Sequence, residues 1–173
     1  MKPLYRTLLG LFIAFSGLTA HAQKISSALE MNDYLASITD SLYEKGQNWG
    51  NKFTAVHASK KFSELSPYRA KIESFIQRKR LEIIGMKDIG GSEKVRLAML
   101  DFLAYEDKMI KEAFLPIEKL SPSSTDEQVK KAIDNLSILA GSEKDFLKKV
   151  NDVQAEYAAR NGFTLDNEEE GKQ

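Results

Sequence analysis

Cysteine and histidine, two side chains common in catalytic and metal sites, are almost absent from this sequence. It contains no cysteine and two histidines, His21 and His57. The lack of cysteine excludes a thiol nucleophile, a disulfide, a zinc–thiolate site and covalent haem attachment through CxxCH. Thr54 lies three positions before His57, where carboxylate-bridged di-iron bundles carry a glutamate. We therefore predict no catalytic residue, no metal site and no cofactor.

Trp49 is the only tryptophan, and Gly46 and Gly50 flank it. Glycine inside a helix costs about 1 kcal/mol relative to alanine, so the two glycines suggest a close helix approach or a local kink. Core packing is the first interpretation of Trp49. A shallow ligand slot beside Trp49, with His57 as a second candidate residue, is the alternative.

The segment from residue 60 to residue 88 has an excess of basic side chains. It holds eight Lys and Arg residues against four acidic residues, a local net charge of +4. Point charges of this kind can contact an anionic surface such as lipid headgroups or an acidic polymer. The candidate residues for that contact are Lys71, Arg78, Lys79 and Arg80. An ordinary solvated helix face is the alternative.

The composition indicates a soluble globular protein without a general attraction to nucleic acid. The 173 residues are 42% hydrophobic and 29% charged. Residues 1–22 contain two basic residues, Lys2 and Arg6, so the remainder has 23 basic and 25 acidic side chains and a net charge of −2. Nucleic-acid binders usually show a basic face and a high isoelectric point. Nucleic acid is therefore not expected as a partner.

Residues 1–22 have the three zones of a cleavable signal peptide. Lys2 and Arg6 form the basic start, Leu8–Phe15 the apolar stretch, and Ala20-His21-Ala22 the small-residue site before Gln23. The apolar run is well short of the roughly 20 residues that cross a bilayer, so we expect no permanent transmembrane anchor. This pattern predicts export to the periplasm or the outer cell surface.

Apolar residues from Ser26 onward recur at alternating steps of three and four, which places them on one face of a helix. Three turn signals separate four such segments: Ser66-Pro67, Gly90-Gly91 and Ser121-Pro122-Ser123. We predict an all-α, antiparallel up-down four-helix bundle over residues 23–165, with a disordered acidic tail at 166–173. A three-helix array is the alternative if Gly90-Gly91 is not a true reversal.

Cap residues predict where these helices begin and end. Ser66 is expected to cap the second helix, because a proline follows it. Ser124 and Glu127 fit a capping box, in which each side chain satisfies a free backbone N–H at the start of the fourth helix. Asn161-Gly162 is typical of a helix C-terminus.

Three residues interrupt the apolar stripes. Pro116 lies inside the third stripe and should bend or end that helix, because proline removes a backbone hydrogen bond and clashes with the preceding turn. Glu143 and Gln154 occupy positions of the fourth stripe that periodicity assigns to the buried face.

Several short motifs occur in a fixed order along the chain. They are Tyr34-Leu35-xx-Ile38, Trp49, Ala55-Val56-His57-Ala58, Arg69, Arg96 before Asp101-Phe102-Leu103, and Val150-xx-Val153-Gln154-xx-Tyr157-Ala158-xx-Asn161-Gly162-Phe163-xx-Leu165. In this order they resemble an uncharacterised family of exported, all-helical bacterial surface proteins, over nearly all of the chain after residue 22. The resemblance implies export and a helical fold. It implies no activity.

We therefore expect a non-enzymatic binding protein of the periplasm or cell surface, whose partner is another protein or an anionic envelope component. A periplasmic chaperone that presents apolar surface to unfolded clients is the alternative. A carrier of a small ligand or metal in the bundle core is the second alternative. Long amphipathic helices often associate, so a homodimer is a further alternative.

Overall fold

Four long helices make up most of residues 25–165, which are the residues described by this computed structural model. They are α1 (Ala28–His57), α2 (Ser66–Ile84), α3 (Glu93–Met109) and α5 (Asp126–Asn161). A 3₁₀ turn (Phe62–Leu65) precedes α2, and a π-helical turn (Ile110–Phe114) joins α3 to the short α4 (Leu115–Glu118). The described residues contain no strand, so the all-α class is confirmed. The predicted signal peptide at 1–22 and tail at 166–173 lie outside this range.

Interhelical contacts show that neighbouring helices run in opposite directions. Contacts join α1 to α2 and α5, and α3 to α2 and α5. Three polar contacts each link the start of one helix to the end of another. They join Gln154 to Asn32 at 3.1 Å, Lys79 to Tyr34 at 3.0 Å, and Arg69 to Glu118 at 2.6 Å. Within residues 25–165 no helix combines the length and apolarity needed to cross a membrane.

One apolar core lies between the helices. The predicted stripes supply most of it, and its largest fully buried side chains include Tyr157, Phe102 and Leu35. Phe62 and Leu65 of the 3₁₀ turn are also fully buried, although they lie outside the predicted stripes. Burying a side chain of this size contributes about 1.5–3 kcal/mol, so this turn is a structural part of the fold.

Pro116 does not end the third helix, because the chain passes it through the π-helical turn. Leu115 N–H donates to the Ile110 carbonyl, a bond that spans five residues. Since proline has no N–H, the Glu112 carbonyl lacks its usual helical donor. Asn135 Nδ2 of α5 donates to that carbonyl at 2.7 Å. A wider turn and a side chain from another helix thus accommodate the proline.

Two predicted helix starts are wrong by one residue. Thr125, not Ser124, caps α5: its hydroxyl accepts from the Gln128 N–H, and the Gln128 side chain accepts from the Thr125 N–H. Two overlapping capping-box patterns are present in the sequence, and Thr125 has the extended backbone of a cap (φ −68°, ψ 157°). Ser66 is already helical and caps nothing, because the 3₁₀ turn leads directly into α2.

The turn between α2 and α3 is held by the end of α5. Gly90 and Gly91 both have positive φ angles, 59° and 70°. Asn161 Nδ2 donates to the Gly90 carbonyl at 3.0 Å, and Arg160 Nη2 donates to the Gly91 carbonyl at 2.8 Å. The chain therefore makes a true reversal here. Gly162, at φ 73°, ends α5 as predicted.

Gly46 and Gly50 in α1 have no comparable role. Nothing lies within 4 Å of a Cβ added at either position, and α1 passes both without interruption. The close helix approach predicted beside Trp49 is therefore wrong.

We expect Gly90→Ala to lower the free energy of unfolding by about 2–3 kcal/mol. Alanine is strained at a φ of 59°, and its Cβ would collide with the Asn161 side chain. The matched control is Gly46→Ala, which should raise stability by about 0.5–1 kcal/mol because the site is helical and open. Urea unfolding followed by circular dichroism measures both variants. A similar effect of the two would contradict this account of the turn.

Candidate functional site

Two of the basic side chains of α2 are held by its two acidic residues. Arg69 binds Glu73 at 2.6 Å. Lys79 binds Glu82 at 2.8 Å and the Tyr34 hydroxyl at 3.0 Å, and it lies over the Tyr34 ring. The Tyr34 hydroxyl also donates to Glu82. Lys79, one of the predicted anion-contacting residues, is thus already committed to a network between α1 and α2.

The other predicted cations of α2 have little ionic compensation. Among the described residues, Lys71 and Arg80 form no ion pair, and Arg78 has only a 3.8 Å contact with Glu82. Lys71 and Arg78 are seven positions apart, which places them on the same face of α2, two turns from each other. Arg80 lies off this face and is half-buried. The structure therefore brings together two of the four predicted residues.

Lys71 and Arg78 line a groove between α1 and α2, together with Lys45 of α1. The groove has a volume of about 390 Å³ and opens to solvent, and Ser74 and Phe75 also line it. We call it the cationic groove. Lys45 was missed in the sequence because it belongs to a different helix and lies outside the basic segment. Its position on α1 gave no signal that it would meet α2 at this point.

Three positively charged groups lie close to the ring of Phe75, beside the groove. Lys45 Nζ lies 4.7 Å from the centroid of its ring, the Arg78 guanidinium carbon 5.6 Å, and Lys79 Nζ 5.7 Å. The Phe75 side chain itself is buried, with an exposed fraction of 7%. Each cation gains about 0.5–1 kcal/mol or more from an aromatic face. Glu82 compensates Lys79, whereas Lys45 and Arg78 repel each other. An anion in the groove would relieve that repulsion.

Trp49 packs in the core. It is 4% exposed, and its indole stacks on Phe114 (centroids 4.2 Å apart) and on Phe53 (5.5 Å). His57 is exposed, and its ring lies 5.5 Å from the same Phe53 ring. A ligand beside Trp49 would have to displace Phe53 or Phe114. The slot at Trp49 and His57 stays a prediction.

A second polar cluster is a pair of glutamates between α3 and α5. Glu106 is 9% exposed, and its Oε1 is buried without a hydrogen-bond partner among the described residues. Glu143, on the facing helix, is half-buried. Burial, with a further contribution from the charge of Glu143, raises the pKa of Glu106 to about 8. Burial also raises the pKa of Glu143.

The sequence indicated only one member of this pair of glutamates. Glu143 was predicted to face inward, and Glu106 was not singled out. The missed signal is periodicity, since Glu106 occupies the position between Leu103 and Met109 that continues the third stripe at helical spacing. No group of three or more His, Asp or Glu side chains within residues 25–165 is arranged to bind a metal ion.

Comparison with known proteins does not place the chain in a family. No family model matches it, and no curated protein or solved structure matches it significantly. The resemblance to exported surface proteins therefore rests on motif order alone and stays a prediction. Four of its motif residues make polar contacts between helices: Tyr34 with Lys79, Arg69 with Glu118, Asp101 with Lys149, and Gln154 with Asn32.

Proposed function

We propose that this protein is a non-enzymatic binding protein of the bacterial envelope, built as an antiparallel up-down four-helix bundle, and that the cationic groove binds an anionic envelope component. One observation carries the proposal. Lys45, Lys71 and Arg78 converge on one open groove from two helices, and no full-strength ion pair within residues 25–165 neutralises any of them.

The groove is braced by polar contacts on both sides. Toward the start of α1, Tyr34 is bound to Lys79 of α2. Toward the end of α1, Lys52 pairs with Glu64 just before α2. Lys45 lies between these contacts along α1. Cations held on rigid, braced helices lose less conformational entropy when they bind than cations on mobile loops, which supports a binding role over an ordinary solvated face.

The expected ligand carries phosphate or carboxylate groups. A volume of about 390 Å³ lies at the small end of typical ligand sites, which span about 300–1,000 Å³. It suits one headgroup or one repeat of an acidic polymer. The chain after residue 22 has a net charge of −2, so attraction to an anionic surface must be local to the groove, and it should weaken as salt screens it.

The proposed location is the periplasm or the outer cell surface. The basic, apolar and small-residue zones of residues 1–22 support it. Capture of a partner protein by the same groove, and a homodimer, are alternatives within this proposal. Native mass spectrometry of the protein from its envelope distinguishes them, since it reports bound mass and oligomeric state together.

We expect Lys71→Glu/Arg78→Glu to weaken binding to vesicles containing phosphatidylglycerol by at least about tenfold at 0.1 M salt, since each basic side chain near an anionic surface contributes about 1 kcal/mol. Vesicle flotation measures it. The matched control is Lys131→Glu/Lys144→Glu, which reverses two exposed lysines of α5 that form no ion pair among the described residues. It should bind like the wild type.

Equal weakening by both double variants would indicate diffuse attraction and contradict a specific groove. If the wild-type protein binds neither these vesicles nor soluble polyphosphate, the proposed ligand class is wrong.

The chaperone alternative has weaker support. Exposed apolar side chains are present, but they are distributed over four helices: Leu29, Tyr43, Leu81, Ile84, Leu97 and Ile138. Scattered exposure of this kind is normal for a soluble protein. Strong suppression of the aggregation of an unfolded client at an equimolar ratio would favour this alternative over the groove.

A further inference from the structure

An aromatic residue followed three positions later by a basic residue occurs twice on α2. Tyr68 precedes Lys71, and Phe75 precedes Arg78, so the second pair repeats the first after seven residues. Side chains in a helix lean toward its N-terminus, which brings a residue over the one three or four positions before it. Lys71 Nζ lies 5.8 Å from the centroid of the Tyr68 ring, and the Arg78 guanidinium carbon lies 5.6 Å from that of Phe75. One face of α2 therefore holds two equivalent cation–aromatic units.

The two units lie two helical turns apart. Seven residues span about 10.5 Å along a helix axis, and the shared lean of the side chains keeps Lys71 and Arg78 at a similar separation. Charge-assisted hydrogen bonds are about 2.7–2.9 Å long, so one phosphate group joins cations no more than about 8 Å apart. Binding both cations therefore takes two phosphate groups. Ser74 lines the groove between them, and its hydroxyl can donate to the segment that joins the two phosphates.

The end of the groove at Phe75 has the higher positive charge. Lys45 of α1 reaches this ring, with its Nζ 4.7 Å from the centroid, so two lining residues, Lys45 and Arg78, place cations there. At the end near Tyr68, Lys71 is the one cation among the lining residues. This asymmetry predicts a ligand whose more highly charged group lies at Phe75.

The two acidic residues of α2 leave positive charge available at both ends. Glu73 is bound by Arg69 at 2.6 Å. Glu82 lies 3.8 Å from Arg78, but it binds Lys79 at 2.8 Å. Because each of these carboxylates has a closer cationic partner outside the groove lining, an incoming anion meets little competition for the groove cations.

We propose that the cationic groove binds one compact molecule with two phosphate groups about 10 Å apart: Lys45 and Arg78 hold one phosphate, and Lys71 holds the other. The guanidinium fork of Arg78 matches two oxygens of one phosphate, and Lys45 adds a second charge, so this end fits a terminal phosphate with a charge of about −1.5 to −2. Lys71 binds the second phosphate as a point charge. A volume of about 390 Å³ fits a molecule of headgroup size and not a long polymer. This inference rests on the proposed function, since it assigns the ligand of the same groove.

Calorimetric titration with alkanediol bisphosphates tests the spacing. Hexanediol bisphosphate matches a span of about 10 Å, whereas ethanediol bisphosphate carries the same phosphate groups and is too short. We expect hexanediol bisphosphate to bind at least about tenfold more tightly than ethanediol bisphosphate or hexyl phosphate, because a linker that matches the span makes the second contact intramolecular. Equal affinities of the two bisphosphates would overturn the inference.

Variants of the two ends test which residue holds which phosphate. Lys71→Gln should lower the affinity for hexanediol bisphosphate to that for hexyl phosphate and leave the binding of hexyl phosphate unchanged. Arg78→Gln should weaken both ligands, because it alters the end that holds a single phosphate. The matched control is Lys131→Gln, at an exposed lysine of α5, which should change neither affinity. Lys71 and Arg78 are also exposed, so we expect all three variants to fold, and circular dichroism checks this. Equal loss of both ligands in Lys71→Gln would overturn the two-phosphate arrangement.

The vesicle and bisphosphate experiments separate this inference from the proposed function. Binding of phosphatidylglycerol vesicles with no preference among the small phosphates would overturn the two-phosphate ligand and leave the anion-binding groove in place. Absence of binding to vesicles, polyphosphate and bisphosphates would overturn both. An affinity for polyphosphate, expressed per phosphate group, that keeps rising beyond chains of about five phosphates would indicate a polymer and overturn the compact ligand.

Discussion

The free energy of unfolding of the wild-type protein should fall by about 3–5 kcal/mol between pH 5 and pH 9. The pKa of Glu106 rises from an ordinary value of 4.5 to about 8 on folding. Between those values the folded state holds a proton that the unfolded state has released, so stability decreases as pH rises through this window. This difference in pKa corresponds to about 5 kcal/mol. Relaxation of the structure around Glu106 lowers that value, which gives the expected range.

Other described groups with shifted pKa values do not titrate inside this window. The acidic groups Glu30, Glu64, Glu82 and Asp126 are lowered from 4.5 or 3.8. The groups with high starting values, Tyr34, Tyr157, Lys52, Lys79 and Arg69, are raised from 10.0 or above. The slope between pH 5 and pH 9 therefore reports mainly on the glutamate pair.

Glu106→Gln should remove most of this slope. The variant is expected to match the wild type within about 1 kcal/mol at pH 5 and to exceed its stability by about 2–4 kcal/mol at pH 9, because its side chain cannot ionise. Urea unfolding at pH 5, 7 and 9 provides the comparison. A wild-type curve that is flat over this range would show that the pair ionises freely.

Arg69→Met should lower the free energy of unfolding by about 3–4 kcal/mol at pH 7. Arg69 Nε binds Glu118 at 2.6 Å, and their side chains are only 13% and 15% exposed. Arg69 also binds Glu73 at 2.6 Å. Removing one partner of a poorly solvated ion pair leaves an uncompensated charge, which typically costs about 3–5 kcal/mol.

A double-mutant cycle separates this penalty from the value of the pair itself. Arg69→Met/Glu118→Met removes both charges and should regain stability to within about 1 kcal/mol of the wild type.

Lys148→Met is the matched control: the Lys148–Asp152 pair has the same 2.6 Å distance, but its side chains are 73% and 59% exposed. It should change stability by less than about 0.5 kcal/mol. If Arg69→Met is as mild as the control, Arg69 does not tie α2 to α4.

Local signals in the sequence were sufficient for the helices and for most of their ends. Apolar spacing predicted four helical segments, Gly90-Gly91 predicted a reversal, and Gly162 predicted the end of α5. These features depend on neighbours in the chain and on the φ angles that glycine permits. Two capping-box patterns overlap at Ser124 and Thr125, and the sequence does not distinguish between them. The extended backbone at Thr125 identifies the cap.

Contacts between helices determine which neighbours each side chain has. Lys45 meets Lys71 and Arg78 only because α1 packs against α2, and Phe114 covers Trp49 only because the fold brings the π-helical turn against α1. No spacing rule within one helix contains this information, since it depends on the register between helices.

The sequence by itself determined the helical class, the turns and the lack of thiol chemistry. Only the tertiary structure showed that Lys79 is paired with Glu82, and that Glu106 is buried with no hydrogen-bond partner for its Oε1 among the described residues. The physical reason is that helix formation and turn geometry are local, whereas charge compensation and desolvation depend on which side chains a fold brings within a few ångströms.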